Sequence, residues 1–95
     1  MNVYVVEFAK HPGLFKIGLT KDVKQRLPQL KASHGEPLNM KRWSVGARYR
    51  IIERALHKAF SSYRRPVPGE GGTEFFDAAV RPNVERILDD EIDGV

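Results

Sequence analysis

Apolar residues run through Val3-Tyr4-Val5-Val6 and return around Phe15 and Ile17, and the break between them holds His11-Pro12-Gly13. Proline fixes φ and glycine accepts positive φ, so the pattern predicts a β-hairpin with strands over residues 2 to 8 and 14 to 18. The first strand is apolar on both faces and belongs in the middle of a sheet covered on each side. Past Gly18 the period changes. Val23, Leu27 and Leu30 recur at i, i+4, i+7 and predict a helix from about Lys21 to Ala32, with Thr20 as N-cap and Asp22 in the first turn. Pro28 removes a backbone donor within it and should kink it or end it early.

Ser33 to Leu38 contains Gly35 and Pro37 and reads as loop, and Asn39 to Val45 alternates as a third strand that Gly46 ends. The longest periodic stretch is Ala47 to Tyr63, where Ile52, Ala55, Leu56, Ala59 and Tyr63 share one helical face. Glu53 and His57 lie about 40° apart on the border of that face, where a carboxylate can rim a cleft. Residues 64 to 72 hold two Pro and three Gly and read as loop before the short Thr73-Glu74-Phe75-Phe76 segment. A last helix starts at Pro82 and carries Val84, Ile87, Leu88 and Ile92. The expected class is α+β, with a three-stranded antiparallel sheet and about three helices. Residues 1 to 77 form the core, and residues 78 to 95 an acidic C-terminal helix on the same domain.

In an antiparallel hairpin, directly paired residues have a constant sum of numbers and share a face. Tyr4 and Lys16 share a face only if that sum is even. A two-residue turn centred on Pro12-Gly13 would pair 11 with 14 and separate them. An odd loop around Lys10 to Leu14, or a bulge beside it, brings them together.

Charge is distributed unevenly in the 95 residues, whose net is +4. Residues 1 to 40 carry six Lys/Arg against three Asp/Glu, residues 41 to 65 eight against one, and residues 66 to 95 two against eight. The middle block includes Lys41, Arg42, Arg48, Arg50, Arg54 and Lys58. It suits a phosphate-rich partner, since counterion release drives association even without sequence readout. Its plain alternative is a solvated face balanced by the acidic tail. Cysteine is absent, which excludes disulfides, thiolate zinc sites and cysteine nucleophiles. With no signal-like start and no apolar run near 18 residues, a cytoplasmic protein with no membrane partner is expected.

Asn2-Val3-Tyr4, the gap to Lys16-Ile17-Gly18, Arg26, then Glu53-Arg54-Ala55-Leu56-His57 and Glu74-Phe75-Phe76 stand in an order that resembles the GIY-YIG nuclease superfamily. The similarity is strongest to its small phage-type branch, where the second motif is commonly spelled KIG. The resemblance implies a metal-dependent endonuclease that leaves 5′-phosphate and 3′-hydroxyl ends. Tyr4 would be general base or its relay. A free tyrosine has a pKa of about 10, so cationic neighbours such as Lys16 and Arg26 would be needed to favour its phenolate. Arg26 would hold the scissile phosphate with its planar fork. Glu53 would bind one Mg²⁺ or Mn²⁺, a single carboxylate being a normal protein share for Mg²⁺. His57 would contact phosphate or orient the site, with Gly18 and Glu74 in support.

Each residue also has an ordinary explanation. Tyr4 can be a strand tyrosine with its hydroxyl at the rim, Lys16 and Arg26 solvated cations, and Glu53 a helical partner of His57 or Arg50. The chain departs from many relatives in having Lys16 where they have tyrosine. The asparagine many of them carry late is also missing, the only one after Glu53 being Asn83; Glu74 would stand in for it. The competing function is a nucleic-acid-binding module that keeps the fold without cleavage, and a third is a protein-interaction factor using the acidic tail. DNA is the expected partner and RNA stays open. No arm for reading sequence is evident, so a homodimer or a protein partner would supply specificity.

Overall fold

The computed structural model describes residues 1–93. Strands β1 (Asn2–Phe8) and β2 (Leu14–Thr20) form the predicted hairpin. β3 (Pro37–Ser44) joins the outer side of β1 and β4 (Phe75–Asp77) joins β2, giving the antiparallel order β3-β1-β2-β4. The fold is α+β as expected, with four strands rather than three. Three residues are too few to show alternation, which is why β4 is not visible as a strand in the sequence. Its Phe75 and Phe76 are both fully buried, one in each core.

The hairpin pairs Tyr4 with Gly18 and Val6 with Lys16, an even sum, across a loop of residues 9–13. Tyr4 and Lys16 therefore share a face. Tyr4, Val6 and Phe8 pack with Leu30 and Phe75 beneath α1 (Val23–His34). Val3, Val5, Phe15 and Ile17 pack on the other face with Ile52 and Leu56 of α2 (Tyr49–Ala59) and with Val84 and Leu88 of α3 (Arg81–Asp93).

Several boundaries differ from the sequence reading. Asp22, not Thr20, caps α1: its carboxylate accepts from the Lys24 and Gln25 backbone N–H groups at 3.0 and 3.3 Å. Thr20 Oγ1 instead accepts from the Asp22 N–H at 3.2 Å and shapes the turn before the helix. Pro28 lies inside α1 without ending it, because Leu30 and His34 beyond it are fully buried and anchor the last turns. The helix thus reaches two residues past Ala32, and the segment read as loop shrinks to Gly35 and Glu36. α2 stops at Ala59, before a short 3₁₀ turn at Ser61–Tyr63. Its buried stripe is only Ile52 and Leu56, and Ala55, Ala59 and Tyr63 are exposed.

β3 starts at Pro37 and carries a bulge, since its register against β1 shifts by one between Val5 and Glu7. Asn39 supplies the left-handed residue at φ +52. The buried Arg81 bonds the Asn39 carbonyl, Glu7 and Glu85, so one cation joins β1, β3 and α3. α3 begins one residue before Pro82. The expected apolar position at Ile92 concerns a side chain outside the described residues, as do residues 94 and 95.

Candidate active site

Of β2, β4 pairs only with Leu14, Phe15 and Lys16, so the remainder, Ile17 to Thr20, has an edge that β4 does not cover. The candidate residues gather around this stretch. Tyr4 crosses over Gly18, where a β-carbon would lie 2.4 Å from the phenol oxygen and 2.4 Å from Cζ. Only glycine leaves room for the ring. This gives the third residue of the Lys16-Ile17-Gly18 motif its physical task.

Lys16 Nζ donates to the Tyr4 hydroxyl oxygen at 3.2 Å, and Arg26 Nε, from the first turns of α1, lies 3.5 Å from the same oxygen. Tyr4 and Lys16 are fully buried. The Lys16 ammonium also donates to Glu74 Oε2 at 2.5 Å. Gly71, at φ +66, lays its backbone over this pair, and a β-carbon there would come within 3.0 Å of Lys16 Cε. Lys16 is thus spent on Tyr4 and Glu74 and has no surface of its own.

Arg26 has a second partner. Its Nη1 donates to Glu70 Oε1 and Gln29 Oε1, each at 2.7 Å. Burial works against its charge, but the bonds to Tyr4 and Glu70 outweigh that and raise its pKa further. Glu70 is seated from the other side too: its carbonyl accepts from His34 Nε2 at 2.7 Å. The carbonyl makes Nε2 the donor there, and Nδ1 shares a hydrogen bond with His11 Nε2 at 3.2 Å. The loop read only as Pro/Gly-rich connection therefore folds onto α1 and covers the Tyr4 side of the site.

Glu53 approaches from the other face of the sheet, on α2. Its half-buried carboxyl is pushed above the ordinary carboxylate range by burial first and by Glu74 second, with Lys16 opposing. It pairs with neither Arg50 nor His57. A partly desolvated carboxylate beside a second one has the electrostatics that favour a nearby cation. Among the described residues, no group of three or more His, Cys, Asp or Glu side chains forms a complete protein cage for a metal. His57 donates from Nε2 to the Ile17 carbonyl at 3.3 Å and packs edge-on against Phe76, so it ties α2 to the free part of β2. Burial, the largest influence, lowers its pKa.

The basic block divides in two. Lys41 pairs with Glu85 and Arg48 with Glu91, so α3 neutralises part of it. Arg42, Arg50, Arg54 and Lys58 are exposed and form no ion pair among the described residues. Sequence reasoning missed Glu70 and His34. The glycines on both sides of Glu70 are the one local sign that its loop is shaped to fold back.

A hairpin and helix that gather a tyrosine, a lysine and an arginine beside a basic surface are compatible with a nuclease-like or DNA-binding module. The chain belongs to the T5orf172 domain family, whose model matches residues 1–92; the domain occurs in phage and nuclease-associated proteins. Neither a curated protein nor a solved structure matches the chain. Among the described residues, no helix is long and apolar enough to cross a membrane.

Proposed function

We propose that this protein is a metal-dependent endonuclease of the GIY-YIG type, acting on DNA. The observation that carries the reading is the Tyr4 oxygen, held over Gly18 and facing two cationic donors, Lys16 at 3.2 Å and Arg26 at 3.5 Å. Both donors aim at that oxygen, the atom that acts as general base in the proposed reaction. In its deprotonated form it takes a proton from water as the water oxygen bonds to phosphorus. The bond from phosphorus to the 3′ oxygen breaks, and the departing oxygen picks up a proton from solvent. The products are a 5′-phosphate and a 3′-hydroxyl. Arg26 holds the phosphoryl oxygens through the transition state, where preorganised charge counts most. Glu74 keeps Lys16 aimed at Tyr4.

Glu53 would be the protein ligand of one Mg²⁺ or Mn²⁺, the rest of the shell being water and substrate oxygen. Bound there, the ion would supply charge neutralisation at the phosphate and the leaving oxygen. His57 orients α2 against β2 rather than touching phosphate.

A second reading is a nucleic-acid-binding module without cleavage. It is favoured by Lys16 being buried and neutralised by Glu74 and by Arg26 being engaged with Glu70. Incubating the protein with labelled duplex, branched and single-stranded substrates in Mg²⁺ and in EDTA separates the two. Metal-dependent cleavage that disappears in Glu53→Ala supports the nuclease, and binding with no cleavage on any substrate supports the module.

A further inference from the structure

On the α2 side of β2, the residue after Gly18 opens a different space. Leu19 and Lys21 form one wall of a cleft, Tyr49, Arg50, Glu53 and Arg54 form the other, and Met1 completes it. Its volume is about 430 Å³, within the range of small-ligand sites, about 300–1,000 Å³. Three of the lining residues are cations and one is a carboxylate. Lys21, Arg50 and Arg54 are exposed and have no ion-pair partner among the described residues, whereas Lys41 and Arg48 nearby in sequence are already paired with α3. The Arg50 guanidinium lies 5.8 Å from the Tyr49 ring centre, which braces it at the cleft mouth.

We propose that this cleft is a subsite for one nucleotide of a single nucleic-acid strand, which it grips by the phosphate through Lys21, Arg50 and Arg54. Leu19, Tyr49 and Met1 provide an apolar wall for a base or sugar. The proposal rests on the nuclease reading for its direction: Glu53 belongs both to the cleft and to the candidate metal site. Gly18 beneath Tyr4 and Leu19 in the cleft are consecutive on β2 and face opposite sides. A strand held in the cleft therefore wraps the part of β2 that β4 leaves uncovered, passing from Leu19 to Tyr4. An extended phosphodiester can follow that turn, and a straight duplex cannot. An acidic peptide could satisfy the cations, but it would have no use for the apolar wall, and it would bring carboxylates up against Glu53.

The test measures anisotropy of a labelled single-stranded DNA 20-mer with the full chain in EDTA, over a range of salt concentrations. Lys21→Ala/Arg50→Ala/Arg54→Ala is compared with Lys10→Ala/Lys24→Ala/Arg86→Ala, which removes the same charge elsewhere. The cleft variant should bind about tenfold more weakly and lose about 0.7 from the slope of log affinity against log salt, the share of one phosphate contact on a single strand. The control should keep most of both. Equal losses in the two variants overturn the proposal, as does cleft-dependent binding of polyglutamate in place of the oligonucleotide. A wild type that cleaves in Mg²⁺ while its cleft variant binds like the control sinks the subsite and leaves the nuclease. Cleft-dependent binding with no cleavage does the reverse.

Discussion

Tyr4 and Gly18 are cross-strand partners in which the ring of one occupies the place of the other's missing side chain. Gly18→Ala therefore puts a methyl into the phenol itself. The ring must swing away from Lys16 and Arg26, so cleavage should fall by about 10²-fold or more, and overpacking should cost about 1–3 kcal/mol. Single-turnover cleavage and urea unfolding check the two effects. A variant with wild-type rate would remove Tyr4 from the chemistry.

The Lys16–Glu74 pair is buried at one end only, Lys16 being fully covered and Glu74 about one-third exposed at 34%. Glu74→Ala leaves a buried ammonium with the Tyr4 hydroxyl but no counter-charge and should cost about 3 kcal/mol, the lower end for a broken buried pair. Lys16→Met leaves a carboxylate that can turn to water and should cost less, while losing activity as fully. Denaturant titrations of both variants read the asymmetry, and equal losses would show that Glu74 is no better solvated than Lys16.

Glu53 is ionised at a cost in the folded state, since burial and Glu74 raise its pKa. A raised carboxyl pKa means the folded protein binds the extra proton more tightly. Its contribution to stability is full below the unfolded value and is lost as pH climbs through the folded one. Glu53→Gln should melt higher than wild type at pH 7 and level with it near pH 4. Its cleavage should be abolished at both, with DNA affinity in EDTA nearly unchanged. Equal melting temperatures at pH 7 would show that the carboxylate is not strained.

Arg26→Lys should cleave as poorly as Arg26→Ala, down about 10²-fold, because a point charge cannot bridge Tyr4 and two phosphoryl oxygens. Glu70→Gln should act in the opposite direction by freeing the guanidinium. The Arg26–Glu70 pair is open to solvent, with Glu70 56% exposed, and such pairs are weak and screened by salt. The gain should thus appear as a fall of no more than about fivefold in KM, largest at low salt. A lower rate in this variant would make Glu70 a working part of the site.

The hairpin and the helix after it were legible because they are local. The pairing of the strands that carry Tyr4 and Lys16 and the period from Val23 to Leu30 lie within one continuous stretch. The basic block was visible as composition, but its neutralisation by Glu85 and Glu91 depends on where α3 docks, which no local pattern records. Glu70 was hidden for another reason. A loop with two prolines and three glycines has no period, and the glycines flanking Glu70 mark a turn without naming Arg26 and His34 as the groups it folds onto. Asn39 is similar: its bulge is set by pairing with β1, and its own strand pattern reads through it.

Arg81 adds a dimension of time. It sits where β1, the β3 bulge and α3 meet, and Val84 and Leu88 beyond it belong to the same core as Phe15 and Ile17, the residues on either side of Lys16. The hairpin precedes α3 in translation. Until α3 is made, the core face of β1 and β2 is covered by Ile52 and Leu56 of α2 without Val84 and Leu88, and the cluster that backs the strand carrying Lys16 is incomplete. The hairpin's reactive groups are thus made early, and the packing that steadies them is complete only once α3 has been added.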